Sequence, residues 1–263
     1  MNLNTENGIT LYWKSIDQKR NRYNSRFEKA VYKALLNQLK PSLEYVSRQS
    51  SSLNPDDVAA QVSSSDIEKV LSELYSTVSI EFAKDSYKSL FPEKSYTVTV
   101  STKNLDDLVT IWLDKFRQYV FTDGAEKVRN ITTTTKTIIK RIIQKSGNEG
   151  LSIPDTSKLL LSEWRSLAKS RSVVIARTEI IAASNYGSLT GAQSTGLEID
   201  KIWISTRDSR TRDKHIIADG QRVDINSNFQ VGGESLPYPG GGKIPSNNIQ
   251  CRCTVGYKRK GED

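Results

Sequence analysis

Residues 203–257 read WISTRDSRTRDKHIIADGQRVDINSNFQVGGESLPYPGGGKIPSNNIQCRCTVGY, and this stretch decides how the C-terminal part of the chain folds. It contains the single histidine, His215, and both cysteines, Cys251 and Cys253, beside a dense Asp/Arg cluster and a Gly/Pro-rich loop. These residue types carry most protein chemistry, so we expect any chemistry or specific recognition to concentrate here.

Short strand patterns and turn signals alternate in this stretch. Strands are predicted at residues 201–205, 222–225 and 251–257, and Ala218-Asp219-Gly220-Gln221 is typical of a turn. If residues 251–257 form a strand, the two thiols lie on one face with α-carbons roughly 6.5 Å apart, the upper limit for a disulfide. Reduced thiols or shared metal ligation are therefore expected in place of a bridge.

The rest of the chain has mainly helical periodicity. Apolar residues recur at spacings of three and four over 15–46, 65–82, 105–120, 125–144, 155–167 and 170–193. Pro41 is expected to end or kink the first helix, and Tyr96–Val100 is predicted as a strand or an extended linker. The predicted fold class is α+β, with a mostly helical N-terminal region, residues 1–169, and a small turn-rich α+β C-terminal module within residues 170–263.

Net charge and the distribution of apolar residues limit the kinds of partner that this protein is expected to bind. The formal net charge of +8 favours an anionic partner such as nucleic acid, although Lys and Arg are scattered along the chain. No segment is apolar enough to span a membrane, and the first residues lack the pattern of a signal peptide. We therefore expect a protein made in the cytoplasm that has no membrane partner.

The histidine and the cysteines are candidate metal ligands. His215, Cys251, Cys253 and the carboxylate of Asp208 together match the donor set of a tetrahedral structural zinc site. Against this interpretation, paired CxxC motifs are absent. The favoured alternative is that His215 forms hydrogen bonds within the module and that the thiols are small core side chains.

A catalytic interpretation makes His215 a general base beside Asp208 or Asp213, as in a metal-dependent nuclease or another hydrolase. The sequence contains no GxSxG, HExxH or Walker-type loop, and residues 240–242 favour a flexible or tightly turning loop over a phosphate cradle. An ADP-ribosyl-transfer enzyme would require an Arg, Ser-Thr-Ser and Glu-x-Glu series in order, which the sequence does not show.

The alternating charges of residues 207–213 favour an internal network of ion pairs and hydrogen bonds. Asp208 suits the backbone amides of a turn, and Arg210 or Arg212 can bind a carboxylate or a carbonyl in bidentate fashion. Arg177 and Glu179 on the preceding helix are candidate members, although a solvated helix face explains them equally well.

Many spaced positions together carry a family resemblance. They are Ala176-Arg177-Thr178-Glu179, Asn185, Trp203, Asp208, Thr211-Arg212, His215, Asp219-Gly220, Phe229, Tyr238-Pro239-Gly240 and Asn248–Cys253. In this order they resemble the phage Mu protein F-like family of minor head proteins, over roughly residues 170–257. The helical region before residue 170 resembles no family that we can name.

The resemblance implies a structural, non-enzymatic protein of the tailed-phage head. It would lie in the head interior near the portal after assembly in the host cytoplasm, with portal, capsid or scaffold proteins as partners. The helical region, residues 1–169, would bind those partners. The positive charge adds an expectation of non-specific contact with packaged double-stranded DNA.

Overall fold

The computed structural model describes residues 3–90 and 105–261 of the chain. Its helices are α1 (Glu6–Ser47), α2 (Pro55–Ala60), α3 (Ser65–Leu90), α4 (Leu105–Tyr119), α5 (Ala125–Asn148), α6 (Ile153–Gln193), α7 (Asp213–Ala218) and α8 (Pro245–Asn248). Its strands are β1 (Ile199–Ile204), β2 (Arg222–Asp224), β3 (Phe229–Val231), β4 (Glu234–Leu236) and β5 (Thr254–Arg259). The predicted α+β class, helical first and strand-containing at the C-terminal end, is confirmed.

Three predicted helices have different bounds in the structure, and one predicted strand or linker lies outside the described residues. Pro41, expected to end or kink the first helix, does not end it, because α1 continues through it to Ser47. The two helices predicted at 155–167 and 170–193 form one helix, α6, since no glycine or proline interrupts residues 155–186. The strand or linker predicted at Tyr96–Val100 lies outside the described residues.

The chain divides into two compact units. Unit 1 contains the described parts of Met1–Ser25, Leu74–Arg117 and Arg177–Asp263, and unit 2 contains Arg26–Glu73 and Gln118–Ala176. The domain boundary expected at residues 169 and 170 falls inside α6. Both units are assembled from separate stretches of sequence.

Unit 2 is helical. The indole of buried Trp164 donates a hydrogen bond to the carbonyl of Leu35 at 2.9 Å. The Gln38 amide binds the Ser63 carbonyl at 2.9 Å and accepts from Thr135 at 3.1 Å. These bonds satisfy polar groups that would otherwise be costly to bury between apolar helix faces.

Unit 1 contains both sheets. β1 is the centre of an antiparallel three-stranded sheet in the order β2-β1-β5, and β3 and β4 form a separate hairpin. Alternate residues of β1, Ile199, Lys201 and Trp203, are buried, as expected for a strand with one face on the core. Trp203 packs edge to face on Phe229 of β3, with ring centroids 5.4 Å apart.

Helices α3 and α6 meet at backbone distance within unit 1. A β-carbon at Gly187 would lie 2.1 Å from the carbonyl oxygen of Ser79, and one at Gly191 would lie 2.1 Å from that of Ala83. The Ser79 hydroxyl donates to the Ala183 carbonyl at 2.9 Å. Glycine is therefore required at both α6 positions, because any side chain would force the helices apart.

Candidate functional site

The imidazole of His215 and the thiols of Cys251 and Cys253 come together in the interior of unit 1. Nδ1 of His215 lies 3.4 Å from Sγ of Cys253 and 3.6 Å from Sγ of Cys251. Their donor atoms all lie within 4.8 Å of one another, and each residue is only 1 % exposed. We call His215, Cys251 and Cys253 the Cys-His cluster.

The backbone before the first cysteine explains how both thiols reach the histidine. Residues 251–253 precede β5 and are not part of it, which corrects the predicted strand start. Gln250 has φ +55°, a left-handed conformation, and its amide donates to the Thr178 hydroxyl of α6 at 3.0 Å. The Cys251 amide donates to the Asn248 carbonyl at 3.0 Å, so the chain turns sharply into the cluster.

An aromatic side chain fixes the position of the imidazole. The ring of His215 meets the indole of Trp203 edge to face, with centroids 5.6 Å apart and an interplanar angle of 90°. Among the described residues, Nε2 of His215 is buried and has no hydrogen-bond partner. The polar contacts of this imidazole are therefore concentrated at Nδ1, on the side of the thiols.

The two thiols interact with each other and with nearby backbone amides. The Cys253 thiol hydrogen-bonds to Cys251, which lowers the pKa of the Cys251 thiol well below its ordinary value. The same bond raises the pKa of the Cys253 thiol well above its ordinary value. Backbone amides of Cys253 and Thr206 donate to the sulfurs of Cys251 and Cys253 respectively.

Asp208 lies outside the Cys-His cluster. Its two carboxylate oxygens accept hydrogen bonds from the guanidinium of Arg252 at 2.6 and 2.7 Å. Oδ1 also accepts from the Arg210 amide at 3.0 Å and the Thr211 hydroxyl at 3.2 Å. The hydrogen bonds from Arg252 have the largest effect on this carboxylate, and the bonds from the turn act in the same direction. Together they hold the pKa of Asp208 well below its usual range.

The other predicted members of the polar network bind separately. The Arg212 guanidinium donates to the Ile249 carbonyl at 2.6 Å, and buried Glu179 accepts from the Tyr75 hydroxyl at 2.8 Å. Arg177 is exposed on α6. Arg252 is the partner of Asp208 that the sequence reasoning missed, although its position between the two cysteines was visible.

A second missed residue is Arg20 of α1. Its buried guanidinium donates to Ser184 at 2.6 Å, to Asn185 at 2.8 Å, to Thr254 at 3.2 Å and to the Cys253 carbonyl at 3.3 Å. Burial lowers the pKa of Arg20 to about 10. No local sequence signal identifies it, because its partners are more than 160 residues away along the chain.

Asn185 completes the same hydrogen-bond network. Its amide donates to the Pro239 carbonyl at 2.9 Å and to the Cys253 carbonyl at 3.2 Å, while its oxygen accepts from Thr254. Helix α6, the glycine loop and the segment before β5 are therefore bound to one side chain.

The glycine loop of residues 240–242 is fixed by internal acceptors. The amides of Lys243 and Ile244 donate to Glu234, and the Gly242 amide donates to Asn248 at 3.1 Å. A β-carbon at Gly241 would lie 2.7 Å from the Tyr238 ring. Of the two forms expected from the sequence, flexible or tightly turning, these contacts favour the tightly turning loop.

The described residues contain no helix long and apolar enough to cross a membrane.

Comparison with known proteins identifies a family and two relatives. The family profile described as phage Mu protein F like protein matches residues 123–256, about half of the chain. The expectation that the helical region before residue 170 resembles no family is therefore wrong for residues 123–169, which the match includes. Minor head protein GP7 of Bacillus phage SPP1 is 31% identical over 100 residues, which are 37% of this chain and 32% of that protein. NAD(+)–arginine ADP-ribosyltransferase EFV of Enterococcus faecalis is 31% identical over 110 residues, 41% of this chain and 22% of that protein.

The aligned regions therefore span about a fifth to a third of these curated relatives. No solved structure matches the chain.

Proposed function

The chain belongs to the phage Mu protein F-like family, and on this premise we propose that it is a structural minor head protein of a tailed bacteriophage. The observation that carries the proposal is the family match over residues 123–256, which include the whole Cys-His cluster. The relative named as a minor head protein supports the same role. In this role the protein acts during head morphogenesis and is part of the virion head.

The proposal also names the partners of the protein and its location in the virion. We assign the protein to the head interior near the portal, with portal and capsid or scaffold proteins as its partners and assembly in the host cytoplasm. The helical region, residues 1–169, is the part that we assign to those contacts.

Gene deletion tests the head role directly. In the genome that encodes this chain, deletion is expected to reduce the yield of DNA-filled heads, and expression in trans is expected to restore it. Electron microscopy of purified particles gives the ratio of filled to aberrant heads. An unchanged ratio would contradict the proposal.

Contact with packaged DNA follows from charge. The net charge of +8 supports non-specific attraction to phosphates, which weakens with salt because counterions are released on binding. The basic residues at the end of β5 are engaged within the chain: Lys260 pairs with Asp224, and Arg259 donates to the Leu90 carbonyl. Any DNA surface is therefore assigned to scattered side chains elsewhere.

A DNA retention assay with duplexes of unrelated sequence tests this contact. Binding is expected at low ionic strength and is expected to fall steeply as salt increases. Binding that is insensitive to salt, or none at low salt, would contradict it.

We propose no catalytic role for His215 and Asp208. A general base needs access to the proton that it removes, whereas His215 is 1 % exposed and directs Nδ1 at two thiols. Asp208 is held by Arg252 instead. A nuclease or hydrolase would lose turnover in the His215→Ala variant while its fold persisted, and that result would overturn the structural role.

The activity in the name of the Enterococcus relative is not carried over to this chain. The alignment covers 22% of that protein, so most of it has no counterpart in the aligned region.

A further inference from the structure

The Cys-His cluster has the donor atoms, spacing and burial of a metal centre. One imidazole nitrogen and two sulfurs converge from α7 and from the segment before β5, and His215 and Cys251 are 36 residues apart along the chain. Imidazole and thiolate together are the donors that zinc prefers, whereas calcium and magnesium prefer oxygen. The donor set therefore selects a borderline-soft divalent ion.

The distances fit tetrahedral coordination. With Zn–S near 2.3 Å and Zn–N near 2.0–2.1 Å, a nitrogen and a sulfur on one tetrahedral ion lie about 3.6 Å apart. The two separations from Nδ1 of His215 to the sulfurs are 3.4 and 3.6 Å. Both separations from Nδ1 therefore match those that one tetrahedral ion sets between a nitrogen and a sulfur.

The surroundings suit two metal-bound thiolates. Backbone amides of Cys253 and Thr206 donate to the sulfurs, as expected for groups that carry negative charge. Two buried thiolates without a counterion would be costly, and a divalent cation between them makes the group neutral. Nδ1 of His215 is free to accept a metal when its proton is on Nε2.

We propose that His215, Cys251 and Cys253 bind one structural Zn²⁺ through Nδ1 and both Sγ atoms. Among the described residues no further His, Cys or carboxylate joins the cluster, so these three side chains are the ligands that the protein supplies. Asp208, considered as a ligand from the sequence, keeps its bonds to Arg252. The ion would bind α7 to the segment before β5, and this claim does not depend on the head-protein role.

Metal content tests the site on the full chain. We expect about one zinc per chain by elemental analysis after expression with zinc and purification under reducing conditions without chelators. The Cys251→Ser/Cys253→Ser variant is expected to retain at least tenfold less. The Asp123→Asn variant, at an exposed turn position, is the control and is expected to retain the full amount.

If the double variant does not fold, its loss of zinc would not identify the ligands. Binding of Co²⁺ to the parent protein then tests the site directly. Titration of the reduced, metal-free parent with Co²⁺ should give thiolate-to-cobalt charge-transfer bands and the visible bands of tetrahedral cobalt, which zinc then removes. His215→Cys preserves a soft donor and should keep these bands. No zinc in the parent together with no cobalt spectrum, or a disulfide between the two cysteines, would overturn the proposal.

Discussion

Arg252 binds the carboxylate of Asp208 through two parallel hydrogen bonds, from Nη1 to Oδ2 at 2.6 Å and from Nη2 to Oδ1 at 2.7 Å. The pair joins the loop after β1 to the residue between the two cysteines. Through this bidentate contact, the loop holds the backbone that presents both thiols to His215.

The first prediction concerns this pair. Asp208→Asn should lower the free energy of unfolding at pH 7 by about 1 kcal/mol, a value reduced by the partial exposure of the pair. The pKa of Asp208 is depressed in the fold, so its contribution is present above the ordinary pKa of 3.8 and is lost as pH falls below it.

Urea unfolding at pH 7 and pH 3 measures this contribution. The difference between parent and variant should shrink at the lower pH, while Asp123→Asn, at an exposed turn position, should have little effect at either pH. An equal difference at both pH values would contradict the assignment.

The second prediction concerns the close approach of α3 and α6 at Gly187. Gly187→Ala should destabilise the protein by about 3 kcal/mol, because the new methyl group would meet the backbone of Ser79 and the helices would have to separate. Gly147→Ala is the matched control, since a β-carbon there meets nothing within 4 Å and alanine favours a helix by up to about 1 kcal/mol. Thermal unfolding of the two variants should show shifts of opposite sign; a harmless Gly187→Ala change would refute the close approach.

The third prediction concerns Arg20. Arg20→Met should cost about 3 kcal/mol, because Ser184, Asn185 and Thr254 lose a buried partner. Arg20→Lys should not restore stability, since one ammonium cannot reproduce the geometry of the guanidinium.

Arg22 provides the control on the same helix. Its side chain is 60% exposed and pairs with Glu81, so Arg22→Met should cost under about 1 kcal/mol. Comparable losses for Arg20→Met and Arg22→Met in denaturant unfolding would count against a special role for Arg20.

The fourth prediction concerns the buried lysine of β1. Nζ of Lys201 donates to the Pro237 carbonyl at 2.7 Å and lies 5.1 Å from the centre of the Phe229 ring. Burial lowers the pKa of Lys201 to about 8 from 10.5. Between these values the unfolded chain binds the proton more strongly than the fold does, so stability rises with pH.

Parent and Lys201→Met should therefore be compared at pH 7 and pH 10. The free energy of unfolding of the parent, relative to the variant, should increase over this interval. A constant difference would show that the ammonium is not desolvated.

Periodicity and turn signals predicted the helices, the α+β class and the strands near 201–205 and 222–225 because those signals are local. They did not predict that α6 is continuous, since a run of Ser and Lys near residue 170 resembles a helix end although helix-breaking residues are absent. The meeting of His215 with Cys251 and Cys253 could be suggested from residue type alone. The roles of Arg20 and Arg252 depend on contacts between distant segments, which spacing along the chain does not encode.

Quantitative mass spectrometry of purified proheads, produced from the genome that encodes this chain, tests the central claim most directly. We predict that the protein is present in every preparation at a fixed ratio to the portal protein and that Arg22→Met preserves this ratio. Arg20→Met, which disrupts the contacts that hold Cys253, should reduce it. Proheads that lack the protein while it accumulates free in the lysate would contradict a structural role in the head.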